Sequence, residues 1–176
     1  TRITQIWGVC FLITLVMAGV MQSRFSKRTV ALVGNWMALI SFAIVSVSGL
    51  LGSSAVFFSG VVLLGLGSGL STVSNLSLML DMTTPANVGL FVGAWGVANA
   101  LSRLAGQVLS GVVKDMVTLA LGDAVLAYVT VFALLVVFLG IALLIFRSID
   151  VAAFQRGAGE RVSLVEAAAL MHEAQS

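Results

Sequence analysis

Five long apolar runs, separated by short polar punctuation, organise this chain. They extend over about Ile3–Met21, Thr29–Leu50, Ala55–Leu80, Val88–Val113 and Ala124–Phe146. Each approaches or exceeds the roughly 20 apolar residues that carry a helix across a hydrocarbon layer about 30 Å thick. The connections SRFSKR, LGSS, DMTTPAN and KDMVTLALGD are short, so consecutive helices are expected to be antiparallel neighbours. The pattern predicts an all-α polytopic bundle over residues 1–148, followed by a polar tail over 149–176. In that tail Ser163 and Glu166 have the spacing of a capping box, so Val162 to His172 reads either as a short helix or as a frayed end.

Composition narrows the class. The chain is 60% hydrophobic and 9% charged, with a formal net charge of +2; soluble domains carry about 25% charged residues. A basic patch able to neutralise phosphates is absent from the sequence, which argues against nucleic-acid binding. Cys10 and His172 are the single cysteine and histidine, so neither an intrachain disulfide nor a Cys/His metal cluster is available. No nucleophile–base pair or phosphate loop is legible, and an enzyme is not expected. The opening TRITQ lacks a signal-peptide pattern and reads as a stretch from within a longer chain.

Arg24, Lys27 and Arg28 lie in the first loop, and Arg147, Arg156 and Arg161 follow the fifth span. The positive-inside rule places both in the cytoplasm. The loop DMTTPAN then falls on the cytoplasmic side, and KDMVTLALGD opposite, where Lys114 is accompanied by Asp115 and Asp123. Five spans with a cytoplasmic tail match a six-helix transporter half without its first helix.

The fourth span holds the residue most at odds with its surroundings. Arg103 lies roughly 22 Å along the helix from Val88, near mid-membrane, where an arginine costs roughly 2.5–3.5 kcal/mol on insertion scales. Trp95, Asn99, Arg103 and Gln107 recur every four residues and share a broad face, with Val97, Leu101, Leu104, Val108 and Val112 on the other side. The face reads as the lining of a polar cavity that grips a polar or anionic group, or as a structural network bonding carbonyls and neighbouring helices. The third span carries Ser68, Ser71, Thr72, Asn75 and Met79. Helix packing is the stronger reading there, with Asn75 reaching to the fourth span or serving as a weak oxygen ligand. Gly65, Gly67 and Gly69, with the Gly89/Gly93 pair and Gly96, favour close helix approach over hinge motion. Asp81, at the cytoplasmic end of the third span, is placed to cap the next turn or to pair with the first loop; a proton relay is the lesser reading, because no carboxylate stands in mid-membrane.

The loop GVMQSRFSKRTVALVGN resembles, in degenerate form, the motif between the second and third helices of each major facilitator half. Ser23, preceded by Gln22, replaces the usual aspartate. This likeness implies the C-terminal half of a twelve-helix fold, helices eight to twelve. Further along, Leu78-Met79-Leu80-Asp81-Met82-Thr83 and Gly89-Leu90-Phe91-Val92-Gly93-Ala94-Trp95-Gly96 resemble the hallmarks of the PucC/LhaA type of major facilitator protein, and RSIDVAAFQR resembles its close after the last helix. The run NVGLFVGAWGVANALSR resembles the cyanobacterial branch more than the purple-bacterial one. The likeness is dense from about Gly65 to Asp115 and places Asp81, Gly89, Gly93, Trp95, Gly96 and Arg103 in the family's marked segment.

The resemblance implies an assembly factor that delivers or holds chlorophyll or bacteriochlorophyll for photosystem or light-harvesting polypeptides. Its membrane would be thylakoid, intracytoplasmic or plasma membrane, and its partners would include the N-terminal half of the same fold. The spans contain no histidine, so an axial ligand for the pigment's magnesium falls to Asn35, Asn75, Asn99, Gln107, a carbonyl or a water. Two other readings stay open: a small-solute transporter working by alternating access, and a structural subunit of a photosynthetic supercomplex.

Overall fold

The computed structural model describes residues 2–81, 83 and 88–148. The tail, with its Ser163/Glu166 capping box, and most of the DMTTPAN loop lie outside the described residues. Five helices account for the described chain: α1 (Arg2–Gln22), α2 (Lys27–Leu51), α3 (Ser54–Asp81), α4 (Val88–Leu121) and α5 (Ala124–Ser148). All five are long and apolar enough to cross a membrane.

Local chemistry sets the helix ends. Ser26 caps α2, its hydroxyl oxygen accepting the Thr29 N–H at 3.1 Å. Gly52 closes α2 in the left-handed region at φ 61°, its N–H donating to the Ser48 carbonyl. Gly122, at φ 69°, donates its N–H to the Thr118 carbonyl and ends α4, and Asp123 then caps α5 by accepting the Val125 N–H at 2.7 Å. Helix α4 therefore continues past the expected Val113 boundary to Leu121. The stretch KDMVTLAL contains no glycine or proline to stop it, and only Gly122 supplies a terminator. Lys114 and Asp115, expected in a loop, form a 3.1 Å ion pair on the helix.

Neighbours in sequence are not always neighbours in space. The helices contact one another in the order α1, α3, α2, α5, α4, with α1 scarcely touching α2. The cause is α3. Gly65 and Gly69 face α1: a Cβ on Gly65 would meet Trp7 O and Cys10 Cβ at 2.7 Å, and one on Gly69 would overlap Thr14 Oγ1. Gly67 faces α2, where a Cβ would lie 2.8 Å from Gly34 O. Both neighbours thus pack against the backbone of α3, and α1 docks there in preference to α2. The tightest core is the cluster of Ala18, Val30 and Leu70, one residue from each of these three helices. Buried hydroxyls join the helices: Ser41 donates to Gly60 O at 2.8 Å, and Ser46 to Val129 O at 3.2 Å.

Candidate functional site

The sequence candidates fall into three separate places. The first is the basic end of the bundle. Lys27 Nζ lies 2.7 and 2.8 Å from the two carboxylate oxygens of Asp81, tying the start of α2 to the end of α3. Arg28 donates to the Arg147 carbonyl at 2.7 Å, tying α2 to the end of α5. Lys27 and Asp81 are brought together, one of the two readings open for Asp81, while Arg28 is engaged by α5. Arg24 is exposed in the turn after α1.

The second place is the α1–α3–α2 interior. Ser71 donates to Asn35 Oδ1 and accepts from Asn75 Nδ2 at 3.1 Å, while Gln22 donates to Ser74 Oγ at 3.1 Å. For Asn75 the sequence leaves open a reach to the fourth span or a role as a weak oxygen ligand, with helix packing the stronger reading of its stripe. Asn75 bonds instead to its own helix, because the polar side of α3 is turned to α2. Gln22 and Asn35 were not read as partners of α3, since sequence periodicity orients a helix face without naming the helix opposite.

The third place is α4. An every-four stripe drifts by roughly 40° per step around a helix of 3.6 residues per turn. Trp95, 36% exposed, stands at one edge of that stripe, while Arg103 and Gln107 lie fully on the open side. Asn99 is half-buried and donates Nδ2 to the Trp95 carbonyl at 2.9 Å, leaving its side-chain oxygen open. Arg103 makes no hydrogen bond or ion pair among the described residues. No residue of α4 is buried. Its packing partner is chiefly α5, and between the two helices Gly106, Leu109 and Val113 of α4 and Val131, Leu134 and Phe138 of α5 line a groove of about 290 Å³. The groove is apolar. Its one hydroxyl, Ser110, donates to Gln107 O.

Gly89, Gly93 and Gly96 differ sharply from the glycines of α3. No neighbouring atom lies within 4 Å of where their Cβ atoms would stand. Among the described residues, then, the small-residue face of α4 is uncovered, and Arg103 and Gln107 continue it. If the Lys114–Asp115 pair marks one membrane surface, Arg103 stands roughly 16 Å inside it, at about the middle of the hydrocarbon. Chemically, the face offers one fixed cation and two amide oxygens, with no nucleophile, and no group of three or more acidic, His or Cys side chains that could hold a metal ion occurs among the described residues.

Comparison with known proteins places this arrangement. Protein PucC of Rhodovulum sulfidophilum is 39% identical over 84 residues, which is 48% of this chain and 18% of that protein. Protein PucC of Rhodobacter capsulatus is 32% identical over 120 residues, 66% of this chain and 25% of that protein. An uncharacterised MFS-type transporter of Mycobacterium tuberculosis is 25% identical over 114 residues, 64% of this chain and 19% of that protein. The matches thus span a quarter or less of these relatives' lengths. No solved structure matches the chain. The family model described as PUCC protein matches residues 1–154, which run through all five helices, and the chain belongs to that family.

Proposed function

We propose that this chain acts in a photosynthetic membrane as an assembly factor that holds or delivers (bacterio)chlorophyll for light-harvesting or photosystem complexes, with the open face of α4 as its working surface. The observation that carries this reading is Arg103, a cation well inside the membrane-length apolar helix α4, exposed and with no hydrogen bond or ion pair among the described residues. Ionisable residues in such positions mark functional surfaces. The family membership and the PucC relatives support the biological setting.

Pigment chemistry agrees with the face only in part. Asn35 Oδ1 already accepts from Ser71, so one of its two lone pairs is committed to the contact between α2 and α3. Asn99 and Gln107 lie on or beside the open face of α4, and their amide oxygens would be the groups to hold the pigment's magnesium. The apolar α4–α5 groove suits a hydrocarbon tail. When bound, the pigment would supply light absorption, and the chain's own part is to orient and release it. The orientation in this reading keeps the basic end, with Lys27, Arg28 and Arg147, on the cytoplasmic side.

The test is purification from the native membrane in mild detergent, with an absorption spectrum and mass spectrometry of co-eluting polypeptides. A chlorophyll-type band with substoichiometric antenna or photosystem subunits supports the reading. Stoichiometric subunits identify a structural component instead. A colourless preparation without such partners favours a solute transporter, the reading to which the MFS-type relative lends weight.

A further inference from the structure

Arg28 stands where two helices meet. Its guanidinium donates to the Arg147 carbonyl at 2.7 Å, so the first turn of α2 and the last turn of α5 bring two arginines together. That bond leaves the other guanidinium N–H donors and the positive charge in place. Neither arginine forms an ion pair among the described residues. Asp81, the carboxylate among the described residues of this end, is held by Lys27. Arg24 adds a third cation in the turn before α2, next to an exposed Phe25. Both helices set these charges at the membrane boundary. No charged residue occurs from Thr29 to Leu51 or from Ala124 to Phe146, and Arg28 and Arg147 stand directly outside those two runs. That is the level of lipid headgroups.

We propose that Arg28 and Arg147 form a binding site for the phosphate of an anionic membrane lipid, whose acyl chains lie along the apolar flanks of α2 and α5. The proposal is independent of the assembly reading and concerns the opposite side of α5 from no cargo in particular: it holds whatever the chain handles. The guanidinium fork matches phosphate oxygens, and paired forks grip them in charge-assisted hydrogen bonds. Basic clusters between membrane helices at this level hold lipid headgroups. The helix that carries Arg147 selects lipid as the source of the phosphate. Helix α5 is the most apolar of the five. Its exposed Val137, Phe138, Ile141, Leu144 and Ile145 offer hydrocarbon contact, with no counterpart to the Arg103 and Gln107 of α4. On α2, Val33 and Trp36 are exposed in the turns that follow Arg28. A free phosphate would use the two cations and leave Leu144 and Ile145, within one turn of Arg147, without a role. A lipid uses both the charge and the apolar surface beside it.

The experiment offers the full-length protein, purified in mild detergent, equal amounts of phosphatidylglycerol and phosphatidylcholine, and counts bound lipid by native mass spectrometry. The expected result is a clear preference for phosphatidylglycerol. Arg147→Gln removes one charge but keeps the backbone carbonyl that Arg28 bonds, so the junction of α2 and α5 stays intact. It should lower the preference roughly fivefold, the effect of one basic residue near a headgroup. Arg28→Gln should do the same and Arg28→Lys should keep most of the preference. Lys114→Gln, at the other end of the bundle, should change nothing. No preference in the parent protein overturns the proposal, and would mean that the rest of the chain already covers the two arginines. An equal loss in Lys114→Gln overturns it in favour of overall charge. Displacement of the bound lipid by excess inorganic phosphate overturns the choice of lipid and assigns the site to free phosphate.

Discussion

Lys27 and Asp81, 54 positions apart in sequence, close on each other at 2.7 and 2.8 Å and fasten the first turn of α2 to the last turn of α3. Both side chains remain more than a third exposed, so water and salt screen the pair, and exposed ion pairs contribute about 0–1 kcal/mol. Asp81→Asn should therefore lower thermal stability in detergent only slightly, with the difference shrinking as salt rises. The swapped pair Lys27→Asp with Asp81→Lys should recover most of it. A large, salt-insensitive loss would contradict a screened surface contact.

At Gly34, α2 and α3 lie backbone against backbone. A Cβ there would stand 2.6 Å from Ser71 N and 2.8 Å from Gly67 O, both backbone atoms that cannot swing aside. Gly34→Val should separate the helices and cost at least about 1–3 kcal/mol. Gly93→Val meets nothing within 4 Å and should leave the five-helix bundle intact. Unfolding of the two variants side by side checks the contrast, and equal stability would refute it.

The Ser71 hydroxyl bridges Asn35 and Asn75. Hydrogen bonds between membrane helices average about 0.6 kcal/mol and reach about 1.7, so Ser71→Ala should destabilise within that range. Asn35→Ala should then add less in the Ser71→Ala background than alone. Strict additivity in the double-mutant cycle would show that the two do not interact.

Arg103→Leu should insert more readily than the parent helix. Insertion scales place Arg near +3 and Leu near −0.5 kcal/mol at mid-helix, a gain of roughly 3–4 kcal/mol. A glycosylation-mapping assay on the α4 segment measures this directly. No change in insertion would place Arg103 outside the hydrocarbon centre.

Much of the fold is legible because membrane spans announce themselves by length and apolarity. Charge spacing also anticipated the meeting of Asp81 with the first loop. The packing order was not legible. Glycines on two sides of α3 look alike in sequence whether they meet α1 or α2, and the choice depends on side chains far apart in the chain. The end of α4 was misplaced because a charged pair, Lys114–Asp115, resembles a loop but is tolerated within a helix as an ion pair. The partner of Asn75 is not legible for the same reason as the packing order: a periodic face has a direction but no address. Arg103 was visible at once, since cost, not geometry, singles it out.

The most direct test of the central claim compares strains carrying the parent protein, Arg103→Lys and Arg103→Leu, with membrane levels of each protein matched. The quantity measured is the absorbance of assembled pigment–protein complexes in isolated membranes. The account predicts parent-like levels with Arg103→Lys and a clear loss with Arg103→Leu. Unchanged pigment–protein levels in the Arg103→Leu strain would contradict it.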